Sequence, residues 1–492
     1  MTTKKIEGDA KAAKEDVLSA MGIATRELSK QGLDYEVFAS ANKVTTVRFA
    51  SSRLLESKMF LDSGIGIRVV LSGSVGFASS TGTSREAVLA TIESAKKAAR
   101  SKKPDPDFHG LPSPKKSHKM SSAFDPAIRD AGFDDLVVAG IHPLTFAKDI
   151  SNGKAEISGA SNFVYEFASI ANSEGVDTSD ESTFAFASVT AERADSDHEV
   201  SGMGWSLSRS LAKFDAKDAG QEAVNNAMMK MKTAKITPGK FDVVWGNYSI
   251  TDLAENILSY AVSLASVDYG MSYFAGKLGT KVATDDFSLI DDGTLEGSLA
   301  AKQCDDEGLP THRTPIIEKG VLSNFLSDDY SAKKVNAKSK GKTNYASTGN
   351  GFRFDATPGR RYDILPSIYP TNLVIKPGTH SDSELFEGIK RGIYVGRTWY
   401  TYPINPMEGD FTCTNRSNTF LIENGEITGA LPANSFRIND NLPRLLKKIK
   451  GIGKETKAVT VWAGASAVYA PKIRMEGVNV TYSKGAVLGS SN

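Results

Sequence analysis

The chain has 492 residues, 40% hydrophobic and 24% charged, with 59 Lys plus Arg against 58 Asp plus Glu and a net charge of +1. That length exceeds what one core usually supports, and the balanced charge excludes a globally basic nucleic-acid surface or a funnel for acidic substrates. Two cysteines exclude a disulfide framework, no apolar run nears the ~18 residues of a membrane helix, and the opening MTTKKIEGDAKAAKEDVL lacks a secretory signal's apolar core, so a reducing, cytoplasmic setting is expected.

Residues from Ala10 to Gln31 set Ala, Val, Leu and Met among charges at helical spacing, which predicts an amphipathic helix. The segments LDYEVFAS, KVTTVRFAS, GIGIRVVLS and SVGFASS follow; they are rich in Val, Ile and Phe, are separated by Gly and Ser, and read as strands. The helical period returns from Ser84 to Ser101, with Ser84 as its N-cap. Lys102 to Lys119 carries four prolines and no periodicity, so it is an exposed connection. Two long strand patterns, KAEISGASNFVYEFASIANSEG and ESTFAFASVTAERADSDHEVSGMGWSLSRS, continue an antiparallel meander, and a helix near Ala216 to Met231 closes it. ITPGKFDVVWG marks a boundary around Thr237 to Lys240.

Beyond it come strand FDVVW, the helix ITDLAENILSYAV (Ile250 to Val262), many short strands, and two helices near SDSELFEGIKRG and NDNLPRLLKKIKG. The expected fold class is therefore α+β. Residues 1–236 form an antiparallel sheet with helices at its ends or on one face. Residues 237–492 form a β-rich, barrel-like or sandwich-like unit with a few helices.

Six histidines occur, at His109, His118, His142, His198, His312 and His380, and no two have helical ligand spacing. His312, just after Asp305-Asp306-Glu307-Gly308, is a surface or cleft residue and a candidate substrate contact. The acidic run itself precedes a Gly-Leu-Pro turn, where carboxylates accept backbone N–H bonds; an oxygen-ligated cation is the rival reading. Cys304 and Cys413 read as small buried hydrophobes. Leu442 to Ala458, with Gly451-Ile452-Gly453, has the outline of a helix-hairpin-helix that presents backbone N–H groups to a phosphate. The strand-like KAVTVWAGAS that follows denies it a second helix, so nucleic-acid binding is not expected.

The blocks from Gly293 to Lys334, Gly409 to Pro432 and Pro471 to Val480, with Asp62-x-Gly64-x-Gly66-x-Arg68-Val69 and Gly76-Phe77-Ala78-Ser79, resemble the TldD/PmbA family, the "modulator of gyrase" metallopeptidases. The resemblance implies a dimer that holds unfolded or extended peptides in an internal cavity. Active members carry His-Glu-x-x-x-His in the helix matching Ile250 to Val262 and a ligating Cys before the last strand. Here those positions read Ala254, Glu255 and Ser259, and the region KAVTVWAGASAVYAPKIRM has no Cys. Zinc needs imidazole, thiolate or carboxylate donors; a methyl cannot ligate, and a neutral hydroxyl does so poorly. The expectation is no metal site and no cofactor, with Glu255 the residual catalytic candidate and otherwise a solvent-facing helix residue. The chain thus resembles the zinc-less PmbA/TldE branch, paired with a TldD-type zinc subunit or with itself. The alternative is a peptidase with a site foreign to the family, working as a homodimer.

Overall fold

The computed structural model describes residues 9–118, 120, 123–194, 199–215, 217–355, 357–460 and 466–482. Helix α1 (Ala10–Lys30) begins at Asp9, whose carboxylate accepts from the N–H groups of Lys11 and Ala12 at 2.9 and 3.2 Å, answering two of the free amides of a first turn. Its stripe of Ala13, Val17, Ala20, Ala24 and Leu28 is buried, the spacing of one helix face. Strands β1 (Asp34–Ala50), β2 (Arg53–Leu71) and β3 (Ser74–Ser80) follow, then α2 (Arg85–Arg100), capped by Ser84 as expected. No element is predicted over residues 120–153, but α3 (Pro126–Asp130) and α4 (Phe133–Ser151) lie there. Pro143 sits inside α4, and Gly140 beside it breaks the apolar periodicity that would announce a helix. Strands β4 (Glu156–Asn172), β5 (Asp177–Ala194) and β6 (Glu199–Ser208) complete a six-stranded antiparallel sheet in the order β3-β2-β1-β4-β5-β6. Helix α5 (Lys217–Ala227) packs on β6. A Cβ at Gly202 or Gly204 would stand 1.9 or 2.1 Å from a carbonyl oxygen of α5, so only glycine lets the helix lie this close to the strand.

Alternation on β1 assigns the two faces. Val37, Ala39, Ala41 and Val47 face the helices, whereas Phe38 and Val44 face the rest of the chain. Both faces are covered, and β1 is therefore buried along most of its length.

The remaining elements are β7 (Gly239–Trp245), α6 (Asn247–Leu253), a π-turn (Ala254–Leu258), α7 (Ser259–Ala261), α8 (Leu264–Asp268), β8 (Leu289–Asp292), β9 (Arg313–Glu318), β10 (Val321–Leu322), α9 (Asp329–Ser339), β11 (Gly351–Phe352), β12 (Ser367–Ile368), β13 (Asn372–Ile375), α10 (Asp382–Phe386) and β14 (Arg391–Val395). After these come β15 (Thr398–Asn405), β16 (Asp410–Asn415), β17 (Thr419–Glu423), β18 (Glu426–Ala430), β19 (Phe436–Asn441), α11 (Leu442–Leu446), β20 (Ile449–Val459) and β21 (Ala467–Tyr482). Thirteen of these strands form one mixed sheet around β21, which pairs parallel with β13 and antiparallel with β7, β19 and β20. The second unit is β-rich as expected, but its outermost strands β10 and β18 do not pair, so the sheet branches without closing into a barrel. Gly451 and Ile452 stand in β20 opposite Arg474 and Ile473. The outlined hairpin between helices is thus a strand, which removes the geometry that would present its amides to a phosphate.

The acidic run ties its own turn to β11, to the start of α9 and to Arg360. Asp305 Oδ1 accepts from the N–H groups of Glu307 and Leu309 at 3.0 and 2.9 Å, and Oδ2 from Gly351 N–H at 3.0 Å. Asp306 accepts from Arg353 N–H at 2.7 Å and pairs with Arg360 at 3.2 Å, while Glu307 accepts from Asp329 N–H at 2.7 Å. Asp305→Ala would leave three buried amides without an acceptor, a loss of ~3 kcal/mol or more. Urea denaturation should register it, with Asp305→Asn falling between that variant and the parent.

Candidate functional site

The helix that follows β7 leaves the sheet at Gly246, and its first turn is tied down by Ser249, whose hydroxyl donates to Val395 O at 2.6 Å. Four residues later the α-helical ladder gives way to a π-turn, in which the Ser259 N–H donates to Ala254 O. In an α-helix, residues five apart diverge by ~140° around the axis. The wider turn brings positions 254 and 259 back toward one face, the arrangement that a pair of ligands at this spacing requires; π-turns are frequent at functional sites.

The side chains on that frame do not fit a metal. Ala254 is 2% exposed, and its methyl packs in the apolar core with Ile257 and Leu258. Ser259 donates its hydroxyl to Glu255 O, a backbone bond common for serine in helices. Glu255 is not solvent-facing: it is half-buried, and its Oε1 accepts from Ser466 Oγ at 2.7 Å. The expectation failed because helical spacing cannot reveal that β21 folds back over this face. Part of the Cys-free stretch before β21, residues 461–465, lies outside the described residues, as does His198. Among the described residues, no three of His, Cys, Asp and Glu gather at ligand distances.

His312 is exposed and stands in the field of Lys115 and His118; burial of its ring and these charges together lower its pKa. It lines none of the cavities around the π-turn, so the structure does not bring it together with Glu255. Cys304 and Cys413 are buried thiols with pKa values pushed up by burial, as unreactive small hydrophobes are.

What the cleft beside the π-turn does contain was not read from sequence. Asp252, one turn before Asn256, faces two adjoining cavities of about 240 and 270 Å³ that share it and Arg397 as walls. The first is lined by Asn162, Phe186, Met203 and Trp205 of the N-terminal sheet, the second by Trp399, Tyr400 and Tyr402 of β15. Asp252 Oδ2 accepts from Thr398 Oγ1 at 2.8 Å. Burial pushes its pKa up to about 6, against the pull of Arg397 and of that hydrogen bond. A third and larger cavity of about 550 Å³ holds Glu222, which accepts from Tyr248 Oη at 2.6 Å and pairs with Lys457. A shifted carboxyl in a cleft is a functional signal, but nothing local in ITDLAEN marks it.

Three consecutive domain profiles of PmbA/TldA metallopeptidases match the chain: domain 1 over residues 35–99, the central domain over 123–231 and the C-terminal domain over 238–482. A protein named metalloprotease from Methanothermobacter thermautotrophicus is 25% identical over 442 residues, covering 89% of this chain and 91% of that one. Metalloprotease PmbA of Escherichia coli O157:H7 is 23% identical, with 92% and 93% covered. TldE from Thermococcus kodakarensis shares the fold, with a TM-score of 0.80 at 24% identity over 93% of this chain and 100% of that one.

The raised pKa of Asp252 fixes a sign. Folding takes up a proton between the ordinary value of 3.8 and about 6. The stability linked to it is complete below the lower value and lost as pH rises through the upper one. Two pKa units correspond to ~3 kcal/mol at most. Asp252→Asn should therefore unfold at a higher temperature than the parent at pH 8, and the difference should vanish by pH 4, as differential scanning calorimetry would show.

Proposed function

The chain belongs to the PmbA/TldD metallopeptidase family, and on that premise we propose that it is a zinc-less, PmbA/TldE-like subunit that completes a peptide-processing complex with a TldD-type zinc peptidase. The observation that carries this reading is the π-turn: it keeps the ligand-pairing geometry of positions 254 and 259 but fills them with a buried methyl and a hydroxyl spent on the backbone. A helix retained in that form serves as a wall of a cavity. Zinc belongs on the partner only, and this chain contributes binding surface for unfolded or extended peptide. Cytoplasm is the proposed location; no described helix is long and apolar enough to cross a membrane.

An exposed edge supports association. Among the described strands β15 pairs only with β16, and Tyr400, Tyr402, Ile404 and Met407 on this hairpin are 50, 48, 59 and 56% exposed. A long apolar edge left open invites non-specific pairing, and clustered aromatics are the anchors that protein interfaces use. The TldD-type subunit is the occupant proposed for it, with a second copy of this chain in its place when the partner is absent.

Two measurements test the reading. Purified alone, the chain should carry well under one zinc per molecule by elemental analysis; a stoichiometric zinc would favour an enzyme in its own right. Co-expressed with a TldD-type protein bearing His-Glu-x-x-x-His, it should co-purify as a mixed complex that cleaves unstructured peptide. In that complex Glu255→Gln should leave activity nearly unchanged, whereas Tyr402→Asp combined with Ile404→Asp should weaken assembly by ~30-fold or more. A chain that stays monomeric and ignores such a partner would refute the proposal.

A further inference from the structure

Most of the buried arginines have answered charges. Arg68 and Arg353 pair with Glu36, and Arg360 with Asp180. Arg209 spends its donors on the carbonyls of Ser298, Ala301, Ala123 and Thr183. Arg397 differs. Its Nε donates to Thr398 O at 3.3 Å and one terminal nitrogen lies 2.6 Å from Met203 Sδ, a weak acceptor. Among the described residues no carboxylate reaches ion-pair distance. Asp252 acts on it only through its field, and its own carboxylate accepts from the Thr398 hydroxyl instead. The rest of the guanidinium's donors are left to the two cavities whose shared wall it forms.

A second feature points to the same place. Pairing of β15 with β16 is interrupted between Trp399 and Tyr402, and within the gap Tyr400 has φ of +50°. Bulky residues rarely adopt that conformation, and such strained positions gather at ligand clamps. Tyr400 lines the 270 Å³ cavity together with Arg397.

We propose that Arg397 anchors a carboxylate subsite that takes the free terminal carboxylate of an extended peptide in the cleft between the two sheets. The planar fork of a guanidinium matches both oxygens of a carboxylate, and no other side chain offers that match. Trp205, Trp399 and Tyr400 supply the apolar walls for the last side chains, and the combined space suits the end of a peptide and not its length. The subsite rests on the peptide-holding reading given above, and it adds a polarity: the carboxyl end enters this chain's side of the cleft. The charged and titratable groups facing it are Arg397, Asp252, Tyr248, Tyr400 and Tyr402, with Arg416 stacked on Trp399 and paired to Glu192. Burial pushes the Asp252 carboxyl up to about 6; when ionised it competes with the ligand for the guanidinium.

The test is calorimetric titration of the full-length chain with an unstructured octapeptide of Ala, Ser and Val, as the free acid and as the C-terminal amide. The acid should bind at least tenfold tighter than the amide, and severalfold tighter at pH 5.5 than at 7.5. Arg397→Gln should erase the preference, and Arg397→Lys should keep a small part of it, since a point charge lacks the fork. The comparison of acid with amide on the parent chain needs no variant to fold. Equal, measurable binding of acid and amide would overturn the subsite while leaving the peptide-holding reading intact. Binding of neither peptide, by the chain or by its complex with a TldD-type partner, would overturn both. An amidated peptide with one internal Glu that binds as well as the free acid would overturn the assignment to the terminal carboxylate.

Discussion

A seam of buried ions holds the molecule in its working shape. Glu36 of β1 bridges Arg68 of β2 and Arg353 beyond β11; Arg360 bridges Asp180 of β5 and Asp306; Lys302 pairs with Glu166 of β4. All except Arg68 and Asp180 are 3% exposed or less, and those two are nearly as buried. Apolar contacts alone would let one sheet slide over the other, because burial of area has no direction. Ions removed from water tolerate no such freedom, since removing one partner from a buried pair costs ~3–5 kcal/mol. The seam therefore sets the spacing between the sheets, and with it the cleft that runs beside the π-turn.

The π-turn is the second constraint. It is built by the backbone, through the bond from the Ser259 N–H to Ala254 O. In this chain the occupants serve packing and local hydrogen bonding. Glu255, the one acidic residue of the motif still present, is drawn into a bond with Ser466 at the head of β21. The helix forms part of the cavity wall, whose charged groups among the described residues are Asp252, one turn earlier, and Arg397, just before β15.

These two constraints connect fold to use. The N-terminal sheet brings Phe186, Met203 and Trp205, the helix brings Tyr248 and Asp252, and the start of β15 brings Arg397. Apolar and aromatic side chains make up much of this lining, and Asp252 and Arg397 are its charged groups among the described residues. On the outside, the same strand β15 carries the exposed aromatic edge. A partner seated there would lie within one strand's width of the cleft.

Much of this architecture was legible in the sequence where the signal is local. The stripe of α1, the Ser84 cap of α2 and the alternation that marks strand segments each rest on residues a few positions apart, and so does the family resemblance carried by short motifs; strand bounds were less legible, since two expected strands are the single β1 and one expected strand covers both β5 and β6. The identities at 254, 255 and 259 were legible too, because a missing donor atom is a fact of composition. Helix α4 was hidden by Gly140 and Pro143, whose local preference packing against Val47 and Phe163 overrides. The strand at Gly451 was hidden because β-pairing depends on a partner strand, here β21, that no local pattern names. Asp252 and Thr398 are 146 residues apart, and only the folded chain removes water from the carboxylate or leaves Arg397 without a counter-ion among the described residues. The sequence by itself determined many of the elements, the family and the identities at positions 254, 255 and 259, all of them properties of neighbouring residues. The cleft, its displaced titration and the place of Arg397 in its wall were decided by tertiary structure, because desolvation and charge pairing depend on distance in space and not along the chain.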